Sequence, residues 1–250
     1  MAVVNKIIKF SCIDGPGNRM VIFFQGCNYR CTYCHNPETI NHCINCGICL
    51  KNCESSAIVL KKNKILWLEE KCTQCDRCIN VCPHLSTPKT KNYSVDELLE
   101  EIKAVAFFIE GITVSGGEAT LNIDFITELF KRVKKELNLT CFVDTNGGLD
   151  LSLTPYFVEV TDKFMLDVKS IDSKEHLLIT GSNNSTVIKN LSFLLDAKKL
   201  YEVRTVVAPN MNNDKTISAV EKLIDGKCKY KLNYYREDGV RELGLKFHKK

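Results

Sequence analysis

Cysteine placement constrains this chain more than any other feature. Of its fourteen cysteines, eleven fall into three tight groups. Cys27, Cys31 and Cys34 read C-x3-C-x2-C and then stop. Cys43, Cys46, Cys49 and Cys53 read C-x2-C-x2-C-x3-C, and Cys72, Cys75, Cys78 and Cys82 repeat that pattern, with Pro83 following. The repeated spacing is that of thiolates around iron–sulfur clusters. Four thiolates close a [4Fe–4S] cluster for electron transfer, whereas three leave one iron free to bind a substrate. The segment around the two longer runs has little apolar periodicity, so its folding energy comes largely from metal ligation. A disulfide scaffold is the competing reading, but such chains are much shorter and lack C-x2-C-x2-C triplets.

The bulk numbers fit an ordinary globular protein: 250 residues, 44% hydrophobic and 26% charged, enough for one substantial core plus a small insert. No run of 18 or more apolar residues argues for a membrane span, and the opening MAVVNKIIKFSCIDGPG lacks a signal-peptide core and cleavage site. A reducing, oxygen-poor cytoplasm is the expected compartment. The formal charge of +4 is no nucleic-acid signal. Three filled cluster sites would add about −5 and bring the loaded chain near −1. The lysines at 61, 62, 64, 249 and 250 read as solvated surface.

Val21–Gln25 is a β-branched and aromatic run leading into Gly26 and Cys27. Within residues 43–87, Ile58–Leu60 and Ile65–Leu68 flank a Lys/Asn turn and predict a hairpin between two cluster halves. After this insert the pattern alternates. A Ser94…Glu97 capping box opens a helix carrying Leu98, Leu99, Ile102 and Val105 on one face. Strands follow at Ile112–Ser115, Thr140–Thr145, Lys163–Val168, Glu202–Ala208 and Tyr230–Tyr235. Helices are expected around Ile126–Val133, near Pro155, and over Thr186–Lys198 and Asp214–Ile224. Six strands alternating with helices predict an α/β fold, an incomplete (βα)6 barrel like a partial TIM barrel. Its halves are residues 1–42 and 88–250, and its functional residues belong at the strands' C-terminal ends.

The run Phe24-Gln25-Gly26-Cys27-Asn28-Tyr29-Arg30-Cys31-Thr32-Tyr33-Cys34-His35-Asn36-Pro37-Glu38 resembles the radical S-adenosylmethionine (SAM) superfamily. Asp14–Arg19 and Tyr33–Pro37 resemble, more narrowly, the glycyl radical enzyme activases such as pyruvate formate-lyase activating enzyme. The paired cysteine runs, which have the spacing of a two-cluster bacterial ferredoxin, and Phe108–Thr120 are similar to the YjjW-type activases. The resemblance implies a partial barrel with a ferredoxin-like insert, three [4Fe–4S] clusters and SAM. It also implies reductive cleavage of SAM to methionine and a 5′-deoxyadenosyl radical, which takes hydrogen from a glycine Cα of a partner glycyl radical enzyme. A reduced flavodoxin or ferredoxin would supply electrons. Two rival readings share parts of the pattern: a radical SAM enzyme acting on a small molecule, and an electron carrier using only the insert. Neither nucleic acid nor a membrane is an expected partner.

Residue by residue, the resemblance places Cys27, Cys31 and Cys34 on the catalytic cluster, and Tyr33 and His35 near the adenine. Ser115-Gly116-Gly117-Glu118 would receive the SAM amino group, Lys169 the carboxylate, and Arg204 the ribose or carboxylate. Asp144, Thr145, the Met165 backbone carbonyl and Asp167 would hold sodium or potassium. Plainer readings stand beside these: loop packing for Tyr33 and His35, a bare Gly-Gly turn, and ion pairs for the strand-end carboxylates and Arg204. In the insert, the fourth cysteine of each run serves the other cluster. Cys43, Cys46, Cys49 and Cys82 would hold one, and Cys72, Cys75, Cys78 and Cys53 the other, although Cys53 precedes Glu54 rather than proline. Arg236 stands where relatives carry a SAM-contacting histidine, with Asn233 or Tyr235 as substitutes. The chain ends soon after this strand, where relatives usually continue with a further helix, and reads as either a naturally short member or an incomplete product. Cys12, Cys141 and Cys228 read as small buried apolar residues.

Overall fold

The computed structural model describes residues 1–249. Strands β1 (Ala2–Ser11) and β2 (Arg19–Phe24) open the chain. The hairpin β3 (Ile58–Lys61) and β4 (Lys64–Trp67), the single turn α1 (Arg77–Asn80) and the short strand β5 (Lys91–Tyr93) follow. The alternating part runs α2 (Val95–Lys103), β6 (Gly111–Gly116), α3 (Ile123–Leu137), β7 (Thr140–Thr145), α4 (Pro155–Val160) and β8 (Lys163–Asp167). It continues through α5 (Ser173–Thr180), α6 (Ser185–Asp196), β9 (Leu200–Val207), α7 (Asn213–Ile224), β10 (Lys229–Tyr234) and α8 (Glu242–Phe247).

Eight strands form one sheet in the order β10-β9-β8-β7-β6-β2-β1-β5. The six from β10 to β2 are mutually parallel, and they are the six the sequence pattern predicts. The antiparallel β1 and β5 extend the β2 edge and were not expected. Irregular pairing hides β1 in the sequence. Its register against β2 shifts between Val4 and Lys6 and again between Ile8 and Ser11, which breaks the period-two signature. Three helices also lie outside the expectation: α1, α5, and α8 after the last strand.

Helix α2 starts as the capping box requires: the Ser94 hydroxyl accepts from the Glu97 N–H while the Glu97 carboxylate accepts from the Ser94 N–H. Its buried face, Leu98, Leu99 and Ile102, joins Ile126, Phe130 and Val133 of α3 in the layer that covers the sheet. The opposite face is concave. Side chains two strands apart meet across it, as Arg19 of β2 lies over the Phe142 ring of β7 at 4.1 Å and Phe142 packs on Tyr201 of β9 at 5.4 Å.

Arg19 closes the lower end of this concavity and is fully buried without a carboxylate partner among the described residues. Its guanidinium donates to Thr113 Oγ1 at 2.8 Å, Thr140 Oγ1 at 2.9 Å, and the Ile112 and Thr140 carbonyls at 2.6 and 3.0 Å. Burial pulls its pKa down to about 10, so it remains charged at neutral pH.

The segment between the cysteine loop and β5 has its own small cluster, in which Cys49, Ile58 and Cys78 pack with Ile65, Trp67 and Val81. Asn41 ties it to the barrel: its N–H and Nδ2 donate to the Leu85 and His84 carbonyls, while its own carbonyl accepts from Gln25 Nε2 at 2.6 Å. No helix among the described residues is long and apolar enough to cross a membrane.

Replacing Arg19 with Ala leaves several buried acceptors unpaired. The expected cost is about 3 kcal/mol, read as a fall of roughly 6–12 °C in the thermal midpoint. Arg19→Lys should recover only part of it, because an ammonium cannot span β2, β6 and β7 together.

Candidate active site

The cysteine loop leaves the end of β2 with no regular structure of its own and is fixed by backbone hydrogen bonds on two sides. Gly26 and Cys27 N–H donate to the Thr39 and Ile40 carbonyls at 2.8 and 2.9 Å. Arg30 and Thr32 N–H donate to Thr180 and Ile179 at the end of α5, both at 2.8 Å. Helix α5 thus positions the loop, although nothing in its sequence period announced it.

The loop roofs a cavity of about 370 Å³ at the C-terminal ends of the parallel strands. Cys27, Cys31, Tyr33, Cys34 and His35 line it from the loop. Gly116, Gly117 and Glu118 come from β6, Asp144 and Thr145 from β7, Asp167 and Lys169 from β8. Asn233 and Arg236, weighed for the last contact, also line it, with Asn146, Val206 and Tyr234 added by the structure. Tyr235 does not line it; it stacks on His248 at 5.1 Å. Met165 and Arg204 are absent from the cavity wall, with the Arg204 Nη2 against Met165 Sδ at 2.9 Å.

Several expected roles change once partners are counted. Gly116 and Gly117 face protein backbone: a Cβ on either would fall 2.3 Å from Phe24 or 2.2 Å from the Gly26 carbonyl. They let β2 and β6 approach, and φ of +123° at Gly116 suits glycine. The fully buried Glu118 carboxylate spends its oxygens inside the protein. One accepts from the Thr120 N–H, the Thr120 hydroxyl and the Thr145 hydroxyl at 3.0, 2.6 and 2.7 Å, the other from the Asn146 N–H at 2.7 Å. Burial raises its pKa against these four donors. The Thr145 hydroxyl is therefore turned toward Glu118 and does not face Asp144 or Asp167. His35 Nε2 lies 3.1 Å from the Arg236 carbonyl, a contact between the cysteine loop and the segment after β10. Cys12 is exposed, against the buried reading, whereas Cys141 is buried and Cys228 half-buried.

Two cations at the strand ends are paired. Lys169 Nζ meets Asp167 at 2.9 Å; burial opposes the ammonium, but Asp167 and then Cys31 hold its pKa well above the ordinary lysine value. Arg204 meets Asp144 at 3.3 Å and Glu202 at 2.6 Å. Burial pushes the Asp144 carboxyl up to about 6, with Arg204 pulling against it. Burial also pushes the Cys27 thiol up to about 12 and Cys34 up to about 11, and raises Cys31. Asn146 adds a contact that residue type alone did not predict: its Nδ2 lies 3.7 Å from Cys27 Sγ and donates to Asn28 Oδ1 at 2.8 Å.

An incomplete α/β barrel with three thiols over the strand ends, facing a lysine–aspartate pair, defines a cofactor-binding enzyme of the barrel class. The model of the Radical SAM superfamily matches residues 21–223, and the chain belongs to that superfamily. It is 30% identical to the trans-4-hydroxy-L-proline dehydratase activating enzyme of Clostridioides difficile, over 76% of this chain and 68% of that protein. It is 33% identical to the pyruvate formate-lyase-activating enzyme of Streptococcus mutans, over 74% of this chain and 57% of that one. The chain thus spans between about half and two thirds of its relatives' length, and its family within the superfamily is that of the glycyl-radical-enzyme activating enzymes. Among solved structures, Streptococcus suis SuiB shares the fold with a TM-score of 0.55 at 14% identity, over 85% of this chain and 38% of SuiB.

Membership implies SAM and one [4Fe–4S] cluster, and the donor set fits them. Cys27, Cys31 and Cys34 are unpaired by disulfides and face one cavity. Buried neutral thiols of this kind ionise only against a cationic core. Among the described residues no three Cys, His, Asp or Glu side chains converge on one metal ion.

Glu118→Gln places an NH2 group among four converging donors. The expected result is a loss of about 2 kcal/mol in urea unfolding and weaker SAM binding at equilibrium. Thr145→Val, which removes one of the four donors, should cost about 1 kcal/mol.

Proposed function

We propose that the chain is a radical SAM activase that installs a glycyl radical on a partner enzyme. The observation that carries this reading is the meeting of Cys27, Cys31 and Cys34 with the strand-end residues Gly116, Gly117, Asp167 and Lys169 around one cavity of about 370 Å³. When bound there, cluster and SAM supply the reductive cleavage that yields methionine and the adenosyl radical, which takes a hydrogen atom from a glycine Cα of the partner.

The protein's own work is to bind, orient and exclude water. Lys169 offers an ammonium to a carboxylate, a charge-assisted hydrogen bond released by breaking its pair with Asp167. Tyr33 is buried in the roof with its hydroxyl unpartnered, which suits a residue packed on a ligand. Asn146 holds Cys27 in place and donates toward its sulfur. Asp144 and Asp167, with the carbonyl of Met165 and Thr145 as a backbone donor, supply the oxygen ligands of a sodium or potassium site. Arg204 and Lys169 neutralise the same carboxylates, so cation binding would displace these pairs.

Residues 43–87 are read as a ferredoxin-like insert with two further [4Fe–4S] clusters. Support comes from a small cavity lined by Cys43, Cys46, Cys49 and Cys82 together, although Cys82 belongs to the second run. Cys78 lines it too, which suits neighbouring clusters with exchanged fourth ligands. The insert would pass electrons from a reduced flavodoxin or ferredoxin in an oxygen-poor cytoplasm. On that reading the chain would group with the ferredoxin-bearing, YjjW-type activases. The eight-stranded sheet leaves β10 without a further strand on its outer side among the described residues, and this open edge suits entry of a polypeptide loop.

Anaerobic reconstitution should load about 12 iron atoms per chain, falling to about 8 in Cys31→Ala. The wild type, with dithionite, SAM and a candidate glycyl radical enzyme, should give a glycyl doublet in electron paramagnetic resonance. Cys31→Ala should give neither the doublet nor methionine. SAM cleavage with turnover of a small molecule and no doublet would sink the activase reading.

A further inference from the structure

The tail beyond β10 folds back onto the cysteine loop. Gly239 sits so close to His35 that a Cβ there would lie 2.6 Å from the His35 carbonyl oxygen, and one on Gly244 would lie 1.8 Å from that of Thr32. His248 is buried; its two ring nitrogens lie 2.8 Å from Thr32 Oγ1 and 2.9 Å from the Pro209 carbonyl. Between these anchors, Arg241 Nη2 donates to the Arg30 and Cys31 carbonyls, both at 3.1 Å.

Arg241 differs from Lys169 and Arg204 and resembles Arg30, whose Nη1 donates to the Cys27 carbonyl at 3.1 Å, in meeting a ligand backbone without a paired carboxylate among the described residues. Lys169 is paired with Asp167, and Arg204 with Asp144 and Glu202. Among the described residues no carboxylate lies within 4 Å of the Arg241 guanidinium, and its buried Nε has no hydrogen-bond partner. Glu242, its neighbour in the chain, pairs with Lys246 instead. The guanidinium is therefore held against the backbone of a cluster ligand with no carboxylate within 4 Å among the described residues.

We propose that Arg241 is a positioning residue that raises the reduction potential of the cluster on Cys27, Cys31 and Cys34, an inference that rests on those three cysteines holding it. Reduction moves one electron from an external one-electron donor onto the cluster and lowers its net charge by one. A fixed cation beside the Cys31 carbonyl stabilises that added negative charge more than the oxidised state, and so eases the electron transfer. Hydrogen bonds to ligand backbone act in the same direction while fixing the loop.

The test is a potentiometric titration of reconstituted full-length protein, following the paramagnetic signal that changes when SAM is added. Wild type is compared with Arg241→Lys, which keeps the charge, and Arg241→Gln, which removes it. Gly244→Ala reaches the same end differently, by pushing α8 and Arg241 away from Thr32. The expected result is a more negative midpoint in Arg241→Gln and Gly244→Ala, with Arg241→Lys close to wild type. Iron content and circular dichroism show whether each variant is loaded and folded. A loaded Arg241→Gln protein with the wild-type midpoint would overturn the proposal, as would equal shifts in the Lys and Gln variants. Persistence of the SAM-responsive signal in Cys31→Ala would instead overturn the ligand assignment beneath it.

Discussion

The carboxylate of Glu118 joins three strand ends that would otherwise meet only as loops. Its backbone N–H donates to the Gly26 carbonyl at the exit of β2, and its side chain accepts from Thr120 after β6 and from Thr145 and Asn146 at the end of β7. Asn146 then reaches Cys27 and Asn28. A fully buried acid is costly unless every lone pair is used. Here that requirement fixes the relative height of β2, β6 and β7, and with it the place of the first cysteine. Gly117 completes the junction, since any side chain there would collide with the Gly26 carbonyl.

Around this junction the cavity is polar in a controlled way. Its cations and anions are matched across β7, β8 and β9, and the matching runs at right angles to the strands: Arg204 reaches over β8 to Asp144. Such pairs contribute little to stability because desolvation offsets attraction. Their use is readiness. A ligand bearing its own carboxylate and ammonium can exchange partners with them without leaving a bare charge behind.

Much of this was legible because the relevant signals are local. The spacing of the cysteine runs, the Ser94–Glu97 box and the Gly116-Gly117 pair each depend on residues a few positions apart, and six parallel strands followed from alternation. What escaped depends on distance or irregularity. The bulges of β1 erase its period, and α5 is apolar on no consistent face, with Leu177 and Leu178 exposed. The turning of Thr145 toward Glu118 is decided by a hydrogen bond across 27 positions, which no motif encodes. The tail is the clearest case. Arg241 and Gly244 act on carbonyls some 210 residues earlier, and α8 is too short for a periodic signal.

Between Cys27 and Cys34 the cysteine loop has one backbone–backbone hydrogen bond of its own, from the Cys34 N–H to the Cys31 carbonyl at 3.3 Å, and so borrows much of its shape. Its backbone leans on Thr39 and Ile40 on one side and on the end of α5 on another, while Asn41 binds Arg30 and the insert together and the tail closes over Thr32 and His35. Three separate parts of the chain therefore meet at the same short segment. A loop so braced can present thiols in fixed positions before any metal arrives, which lowers the ordering cost of ligation. The bracing also means that a change in the insert or in the tail acts on the thiols through only a few backbone contacts. The tail makes its own such contact at Cys31, whose carbonyl Arg241 holds.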